Sequence, residues 1–346
     1  MENKKTLSEK YSMSDTLTCK DMWSKVEGYD EISLSVYKSR VKYLNQFTGK
    51  VKDEHIEYVH ECPVCGSKDY KYLFTKDGFD HMRCNNSECE TIFVHQRLTE
   101  QARKMFHKGE LYYPGFAEEG GNYGKTKTEG TLSEMDRLKF SLSMEKVLEN
   151  SKTEIKDVFD FGSAAGTFVE WGKEQGYNII GQEYHKGLRE FCQSRDLNVI
   201  GDDLETISFD KKFDLITCWD YIDHVHLPQT VINNLSKYLK KGGLFFFAIN
   251  NIDSLVVKIM HQYSPTFIGS HHPVHYGIKN LNYLMGNDYN LLHTESYVSE
   301  LNWISNWCNW DNPEMGDSPL MHDIFKAKDI CSNGLGFKLN AIYKKQ

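Results

Sequence analysis

The chain has 346 residues, a length that predicts about two domains, or one large domain with an appendage. Its 41 basic and 49 acidic side chains give a net charge of −8, which argues against broad binding to nucleic acid, because such binding needs a basic surface. Apolar residues make up 40% of the chain and aromatic residues 13%, so the composition can supply a core and excludes a chain that is disordered throughout.

The N-terminal sequence and the apolar runs bear on the location of the protein. Met1–Asp15 is polar and lacks the apolar stretch of a signal peptide. The longest apolar run, Leu244–Ile249, is far shorter than the ~20 residues that span a bilayer. We therefore expect no membrane association, a cytoplasmic location, and nine cysteines kept as thiols, for which metal binding is commoner than disulfide formation.

The first third of the chain divides into three segments. Residues 1–60 predict a charged helical extension, because apolar side chains recur there at helical spacing. Residues 61–110 contain a compact cysteine module followed by a helix-like stretch. Residues 111–135 hold five glycines between Gly115 and Gly130 together with several tyrosines, which predicts a mobile linker or lid.

Strands and helices alternate in residues 136–346, and this alternation predicts an α/β domain with a doubly wound sheet. The expected strands are short and almost wholly apolar, as in parallel sheets that helices cover on both faces. The expected strands are 157–161, 178–183, 213–219, 243–250, 289–298 and 335–343, and the expected helices are 167–175, 186–195 and 229–239.

Four of the nine cysteines are closely spaced: Cys62 and Cys65 form one pair, Cys84 and Cys89 another, with 18 residues between the pairs. Two such pairs on separate turns can place four thiolates around one ion in the tetrahedral arrangement that structural Zn²⁺ prefers. We therefore predict a structural zinc ribbon, with four ordinary buried thiols or a rubredoxin-like iron site as alternatives. Aromatic and basic residues between the pairs also fit a ribbon that binds nucleic acid, but the acidic chain argues against that partner.

The most informative stretch joins the first expected strand of the α/β domain to its first helix. Asp160 lies near the end of the strand, and Gly162-Ser163-Ala164-Ala165-Gly166 forms a turn of small residues that opens the helix. Small residues let a ligand approach the backbone closely, and the helix start offers unpaired amides. On its own, this turn is also compatible with a simple strand–helix connection.

Acidic residues follow the next strands where a nucleotide cofactor would be held. Glu183 ends the second strand about 20 residues after the turn, where a carboxylate can accept hydrogen bonds from ribose hydroxyls. Asp202, Asp203 and Leu204 follow the third strand, a position suited to contact with an adenine. Asp220 follows the fourth strand.

These features, in this order, resemble the class I S-adenosylmethionine-dependent methyltransferases. The family's acidic-x-Gly-x-Gly-x-Gly motif is matched by Asp160, Gly162 and Gly166, with Ala164 in place of the middle glycine. FDLITCWDYIDHV resembles the family's fourth-strand motif, and LKKGGLFFFAINN its Leu-Lys-Pro-Gly-Gly turn and fifth strand, with lysine in place of proline. The resemblance covers about residues 135–345 and implies a seven-stranded Rossmann-like sheet. It implies that S-adenosylmethionine contacts Asp160, Gly162, Ser163, Ala164, Gly166, Glu183, Asp202, Asp203, Leu204 and Trp219.

The whole chain is similar to bacterial methyltransferases with an N-terminal zinc ribbon, a group that includes enzymes acting on nucleotide-linked deoxysugars. Their acceptor segment, Glu-His-x-x-Tyr-Phe, resembles SHHPVHYGIKNLNYL, with His272 on the motif histidine, His271 in place of the acid and His275 in place of an aromatic residue. The resemblance implies a nucleotide sugar as acceptor, in polysaccharide or natural-product biosynthesis. The residues expected to contact the acceptor are Tyr112, Tyr123, Asp220, His271, His275 and Tyr276.

Methyl transfer from a sulfonium is an in-line displacement, in which the enzyme chiefly holds the nucleophile in a near-attack geometry. A hydroxyl, or a carbon beside a carbonyl, must also lose a proton, and histidine suits that task near neutral pH. His224 after the fourth strand and His272 after the fifth are the candidate bases, because ligands of open α/β sheets bind at the carboxyl edge. C-, O- and N-methylation stay open, as does the oligomeric state. A binding module with a degenerate methyltransferase scaffold is the alternative from a different class.

Overall fold

The computed structural model describes residues 53–99, 101–102, 132–301, 304 and 324–346. Some of the features predicted from the sequence lie outside these residues. They are the helical extension over residues 1–52, the helix-like stretch over residues 103–110, and the linker tyrosines Tyr112 and Tyr123. None of the described helices combines the length and the apolar character needed to cross a membrane.

The cysteine module folds into short antiparallel strands. They are β1 (Ile56–Tyr58), β2 (Tyr70–Lys76), β3 (Phe79–Cys84), β4 (Ile92–Val94) and β5 (Gln96–Leu98). β2, β3 and β4 form one sheet, and β1 pairs with β5. The β2–β3 hairpin turns through Asp77 and Gly78, whose φ angles of 52° and 81° are the left-handed values that tight hairpins require. Cys62, Cys84 and Cys89 are buried, as expected where few other residues can build a core.

The rest of the described chain forms the α/β domain. Its helices are α1 (Glu134–Asn150), α2 (Thr167–Glu174), α3 (Lys186–Ser194), α4 (Pro228–Ser236), α5 (Leu255–Met260), α6 (Ile278–Met285) and α7 (Ala327–Ser332). Its strands are β6 (Asp157–Phe161), β7 (Asn178–Gln182), β8 (Val199–Ile200), β9 (Phe213–Trp219), β10 (Leu239–Asn250), β11 (Val274–His275), β12 (Tyr289–Tyr297) and β13 (Lys338–Lys345). Two short 3₁₀ turns, Ile222–His224 and His261–Tyr263, follow β9 and α5. The strands and helices predicted between residues 157 and 250 are confirmed, with ends displaced by a few residues.

Seven strands form the central sheet, in the order β12-β13-β10-β9-β6-β7-β8. β6 to β10 run parallel, whereas β13 runs antiparallel to both of its neighbours, β10 and β12. β6, β9 and β10 bury most of their side chains, as parallel strands covered on both faces must. The strand order reverses beside β6, and ligands of such sheets bind at that reversal, beyond the carboxyl ends of the strands.

Helix α1 precedes β6 and packs beside the carboxyl edge. It begins with a capping box, in which the Ser133 hydroxyl accepts from the Asp136 N–H at 3.1 Å and the Asp136 carboxylate accepts from the Ser133 N–H at 3.3 Å. Phe140 of this helix packs edge-on against Phe168 of α2, with ring centroids 5.1 Å apart. This contact fixes α1 over the connection between β6 and α2.

The cysteine module shares a sheet with the α/β domain. β11, which lies between α5 and α6, pairs antiparallel with β4, so that Val274 faces Phe93. The Val94 N–H donates to the Pro273 carbonyl at 3.0 Å, and Lys76 Nζ donates to the Ser264 carbonyl at 2.7 Å. The sequence predicted a separate module here, because a two-residue strand such as β11 leaves no readable pattern.

Candidate active site

The turn after β6 is built by residues with left-handed backbone angles. Gly162, Ala164 and Gly166 have φ values of 74°, 47° and 75°. Glycine adopts such angles freely, whereas alanine does so at a cost. A methyl group on Gly162 would lie 2.1 Å from Cγ of Tyr221, so no larger residue fits unless that ring moves. α2 begins directly after Gly166 and leaves its first amide groups at the turn.

Polar groups at the end of β7 hold this turn in place. The Gln182 carbonyl accepts hydrogen bonds from the N–H groups of Gly162 at 3.0 Å and Ser163 at 2.8 Å, and from the Ser163 hydroxyl at 2.9 Å. Oε2 of Glu183, which is buried, accepts a hydrogen bond from the Ala164 N–H at 2.9 Å. The predicted ribose-binding carboxylate therefore lies beside the turn, while the Ser163 hydroxyl is directed at the β7 backbone.

Gln182, which the sequence analysis missed, joins the turn to the residues after β8. Its buried side chain accepts from the Gly162 N–H at 3.3 Å and donates to the Asp202 carbonyl at 2.9 Å. Asp202 and Asp203 are exposed, and Leu204 is buried in the core. The feature of the sequence that could have identified Gln182 is its place as a polar residue at the carboxyl end of the strand, directly before Glu183.

The motif acid Asp160 is buried near the end of β6. The Thr217 hydroxyl of β9 donates to Asp160 Oδ1 at 2.7 Å. Burial raises the pKa of Asp160 to about 7, although the Thr217 hydroxyl and the charge of Lys139 act in the opposite direction. This carboxyl group is therefore half protonated near neutral pH, and it ties β6 to β9 directly beneath the turn.

Trp219 ends β9 within an aromatic cluster beside the same turn. Its ring centroid lies 4.9 Å from that of Phe140 and 5.0 Å from that of Phe168. Lys139 Nζ lies 5.5 Å from the Trp219 ring centroid. The indole N–H of Trp219 is buried and finds no acceptor among the described residues. An ammonium and an unpartnered N–H together can bind an anionic group, and the sequence analysis did not identify Lys139.

Tyr221 connects the turn to the two candidate bases. Its ring packs on Gly162, and its centroid lies 5.8 Å from that of His224. His224 ends the 3₁₀ turn after β9, and its ring centroid lies 4.8 Å from that of His272. Both candidate bases therefore lie together at the carboxyl edge of the sheet, next to the turn after β6.

Asp223, which the sequence analysis did not single out, lies between the two imidazoles. Its Oδ2 lies 3.6 Å from Nε2 of His272, and its Oδ1 lies 4.0 Å from Nε2 of His224. Although burial opposes its charge, His272, His224 and Lys338 keep the pKa of Asp223 below its usual value. Burial lowers the pKa of His224 to about 4, against the influence of Asp223. The donor atoms of Asp223, His224 and His272 lie within 4.8 Å of one another, a spacing that could hold a metal ion.

A buried lysine from the last strand extends this polar cluster. Lys338 Nζ donates to Asp220 Oδ1 and to Asn250 Oδ1, each at 2.7 Å. The amide of Asn250 donates to Asp223 Oδ2 at 3.3 Å. Asp220 has a φ of 54°, a left-handed angle that surrounding contacts must maintain in a residue other than glycine. The predicted acceptor residue Asp220 is thus ion-paired, and its partner comes from a strand far along the chain.

The segment before α6 carries the remaining predicted acceptor residues. The ring centroid of His271 lies 6.3 Å from that of His224. His275 is buried and stacks on His81 of the cysteine module, with centroids 5.2 Å apart, and burial lowers the pKa values of both rings. Tyr276 is buried, and its hydroxyl has no hydrogen-bond partner in the part of the chain that the structure describes. Of these residues, His271 lies beside the candidate bases and His275 packs against the cysteine module.

The four predicted metal ligands come together in the cysteine module. The Sγ atoms of Cys62 and Cys89 lie 3.8 Å apart, those of Cys65 and Cys84 lie 3.5 Å apart, and all four lie within 4.8 Å of one another. Sulfur atoms bound tetrahedrally at about 2.3 Å from Zn²⁺ are about 3.8 Å apart, so these positions fit such an ion. Four protein ligands leave no coordination position for a reacting molecule.

Two of the solved structures that align with this chain are methyltransferases. An S-adenosylmethionine-dependent methyltransferase from Archaeoglobus fulgidus aligns with a TM-score of 0.42 and 19% identity, over 64% of this chain and 97% of that chain. The plantazolicin methyltransferase BpumL in complex with SAH aligns with a TM-score of 0.45 and 12% identity, over 71% of this chain and 96% of that chain.

Curated relatives match part of the chain. The ubiquinone biosynthesis O-methyltransferase of Coxiella burnetii is 30% identical over 103 residues, which are 28% of this chain and 44% of that protein. The protein of the same name from Aliivibrio fischeri is 29% identical over 120 residues, which are 32% of this chain and 51% of that protein. The chain thus spans about half the length of the curated relatives it matches.

A protein-family model described as "Methyltransferase domain" matches residues 135–294. The matched residues include the turn after β6, Glu183, and both histidines of the polar cluster. They also include five of the seven strands of the central sheet, β6 to β10. Residues 135–294 are therefore similar to a methyltransferase domain.

Proposed function

We propose that the protein transfers the methyl group of S-adenosylmethionine to a small polar acceptor, and that this acceptor is a nucleotide-linked sugar. One observation carries the proposal: Tyr221 packs on Gly162 of the turn after β6 and also lies 5.8 Å, centroid to centroid, from His224. A cofactor on the turn and an acceptor beside the histidines would therefore meet at the same edge of the sheet.

The cofactor would lie across the turn from Glu183 toward Tyr221. Glu183 Oε2 accepts a hydrogen bond from the turn, and a carboxylate oxygen has two lone pairs with which it can also accept from a ribose hydroxyl. Asp202 and the buried Leu204 follow β8 at the position suited to the adenine. Lys139, with the unpartnered N–H of Trp219, could bind the carboxylate of the methionine moiety. This arrangement would direct the sulfonium methyl toward the acceptor side.

The reaction needs an acceptor atom aligned with the methyl–sulfur bond. When that atom attacks, it forms a bond to the methyl carbon, and the electron pair of the carbon–sulfur bond stays with S-adenosylhomocysteine. Holding the two reactants in this geometry is the main contribution of the protein. A hydroxyl or carbon acceptor also loses a proton, and we propose that His224 or His272 accepts it. The position of His224 beside Tyr221, and of His272 beside His224, supports this role.

We further propose that Cys62, Cys65, Cys84 and Cys89 bind a structural zinc ion. The sulfur–sulfur separations of 3.5 Å and 3.8 Å support it, because they match a tetrahedral site. The ion would supply no chemistry to the reaction. It would instead fix the strands β2 to β4, on which the acceptor segment with β11 is docked.

The acceptor class rests on the resemblance to ribbon-containing sugar methyltransferases and on the polar lining by Asp220, Asp223, His271 and His272. The curated relatives are named O-methyltransferases, which supports O-methylation of another small metabolite as the second candidate. The binding-module alternative is disfavoured by the retained contacts of Asp160 and Glu183 with the turn region.

The proposal is tested by incubating the full chain with S-adenosylmethionine and a panel of acceptors, and by recording methylated products by mass spectrometry. The panel contains nucleotide-linked sugars and deoxysugars on one side and small hydroxylated metabolites without a nucleotide on the other. We expect a product 14 mass units heavier from a nucleotide-linked sugar, as one methyl group replaces one hydrogen. A product from the metabolites without a nucleotide alone would favour the second candidate, and no product together with no S-adenosylhomocysteine binding would favour the binding module.

The base assignment is tested with His224→Ala and His272→Ala against His261→Ala, an exposed histidine in a separate 3₁₀ turn. We expect turnover to fall about 10²-fold or more in at least one of the first two variants, the usual contribution of a positioned base. The His261 variant should keep full turnover. Full turnover in both His224→Ala and His272→Ala would refute the base assignment.

A further inference from the structure

We propose that Asp223, His224 and His272 bind a divalent transition-metal ion of the Zn²⁺ class at the acceptor side of the sheet. This second site is separate from the four cysteines. Its occupancy can be measured without any acceptor, and only its chemical role rests on the proposed function. The three residues come from two segments, the 3₁₀ turn after β9 and the segment before β11, which the fold brings together.

The donor atoms converge on one point. Asp223 Oδ2 lies 3.6 Å from His272 Nε2, Asp223 Oδ1 lies 4.0 Å from His224 Nε2, and all three groups lie within 4.8 Å of one another. Ligand atoms at about 2.1 Å from such an ion are about 3.0–3.4 Å apart. Side-chain movements of about half an ångström would therefore bring these groups to bonding distance of one ion.

The hydrogen bond of one imidazole matches that of a metal ligand. His272 Nδ1 faces the Thr266 carbonyl at 3.5 Å, and because a carbonyl can only accept, Nδ1 is the donor and Nε2 is directed at Asp223. Histidines that bind metals typically donate their other N–H to a backbone carbonyl or a carboxylate, which fixes the ring.

The carboxylate between these rings is buried and only partly hydrogen-bonded. The side chain of Asp223 is 4% exposed, and its Oδ1 has no hydrogen-bond donor among the described residues. Within the same residues, its Oδ2 accepts the amide of Asn250, whereas Lys338 donates to Asp220 and Asn250. A buried carboxylate oxygen without a donor is unfavourable, and a cation held between Asp223 and the two imidazoles would satisfy it. The arrangement therefore points to a bound cation.

Two imidazoles and one carboxylate suit transition metals better than Mg²⁺ or Ca²⁺, which prefer oxygen ligands. Three protein ligands also leave coordination positions open, unlike the closed set of four cysteines. An acceptor hydroxyl at an open position becomes more acidic. Its proton then passes to water, its oxygen forms the bond to the methyl carbon, and the carbon–sulfur electron pair stays with S-adenosylhomocysteine. In this case His224 and His272 hold the ion and do not accept the proton themselves.

The test uses the full chain without a histidine tag, produced in medium supplemented with Co²⁺. Bound cobalt is counted by inductively coupled plasma mass spectrometry, and thiolate-to-cobalt absorption reports the cysteine site separately. We expect two cobalt ions per chain. Asp223→Asn and His272→Gln should each lose one ion and keep the thiolate absorption, while His261→Gln should keep both ions.

A single ion per chain, retained in Asp223→Asn and His272→Gln, would overturn the proposal and leave direct proton transfer to a histidine as the mechanism. Circular dichroism of each variant checks folding, and if Asp223→Asn does not fold, the count for His272→Gln decides. S-adenosylhomocysteine affinity is measured on the same wild-type sample. Failure to bind it would count against the proposed function, whereas the cobalt count would still decide the metal site.

Discussion

The cofactor half and the acceptor half of the site are assembled in different ways. Most of the cofactor half lies within residues 160–204, where the turn after β6 hydrogen-bonds to Gln182 and Glu183 at the end of the neighbouring strand β7. The acceptor half combines Asp223 and His224 with His272 and with the cysteine module, through the pairing of β11 with β4. The first half follows from one local fold, whereas the second depends on contacts between distant segments.

This difference predicts that each half can be damaged without the other. β4 of the cysteine module pairs with β11, so the metal site supports the segment that carries His272. The turn after β6 has its nearest supports in β7 and β9. Variants on one side should therefore spare the function of the other.

The largest expected effect comes from Cys84→Ser. A structural zinc site contributes on the order of 10 kcal/mol to folding, so the loss of one thiolate should unfold β2 to β4 and release β11. We expect limited proteolysis to cut within residues 61–98 and methyl transfer to be lost, while affinity for S-adenosylhomocysteine in calorimetry stays within about threefold of wild type.

Cys331→Ala is the matched control for Cys84→Ser, because Cys331 is buried outside the four-cysteine cluster. It should keep the metal and resist proteolysis in residues 61–98. If Cys84→Ser loses affinity for S-adenosylhomocysteine in proportion to its loss of metal, the cofactor half depends on the cysteine module and the two halves are not separable.

Glu183→Gln should have the opposite effect. Hydrogen bonds to a charged group contribute about 1.5–3 kcal/mol, so the amide should weaken S-adenosylhomocysteine binding about 10- to 100-fold in calorimetry. Metal content should not change. Glu190→Gln, at an exposed position on α3, is the control and should bind the ligand like wild type. Equal affinities in all three proteins would remove Glu183 from the cofactor site.

Asp160→Asn tests the cofactor half through pH. The pKa of Asp160 is about 7 in the folded chain and near 3.8 when unfolded, so the folded state holds the proton longer and loses stability as pH rises between these values. Asparagine does not ionise, so the variant does not lose this stability as pH rises. We expect the free energy of unfolding of the variant, relative to wild type, to be roughly 2 kcal/mol higher at pH 8 than at pH 5 in urea denaturation.

Asp157→Asn, on the same strand, should behave in the reverse manner. Although burial opposes it, Lys211 and Lys240 keep the pKa of Asp157 below its usual value. Its ionised form therefore stabilises the fold above the unfolded pKa, and this contribution disappears as pH falls through the folded value. The variant should lose more stability at pH 8 than at pH 3. If the difference in stability between Asp160→Asn and wild type does not change with pH, the pKa of Asp160 is not raised by burial.

The smallest expected effect is that of Ala164→Gly. Ala164 has a φ of 47°, a conformation that costs an L-residue about 1 kcal/mol and glycine almost nothing. The unfolded chain gains freedom with glycine, so the net increase in stability should be below about 1 kcal/mol in urea denaturation. Ala165→Gly changes the next residue, whose φ is not left-handed, so glycine relieves no strain there and should lower the stability. Weaker cofactor binding in Ala164→Gly would show that the methyl group itself contacts the ligand.

The sequence predicts the cofactor half well because its signals are local. Asp160, the small residues of the turn and Glu183 lie at fixed offsets on strands whose apolar runs are readable, and the strands were confirmed. Gln182 was missed because its role depends on a side chain that spans two loops.

The acceptor half was predicted only in part. His224 and His272 were expected at one edge of the sheet, and the structure brings them together. Asp223 lies within the fourth-strand motif but was given no role, and Lys338 gave no signal, because its partners lie more than 80 residues away in sequence. β11 is too short for a periodic pattern, so its pairing with the cysteine module could not be read from the sequence.

A crystal structure of the chain with S-adenosylhomocysteine would show whether the cofactor half and the acceptor half form one methyl-transfer site. We predict the ribose hydroxyls at Glu183, the adenine beside Asp202 and Leu204, and the sulfur atom directed toward Tyr221 and the histidines. A ligand bound elsewhere, or a sulfur atom directed away from the His224 side, would contradict the claim that the two halves form one methyl-transfer site.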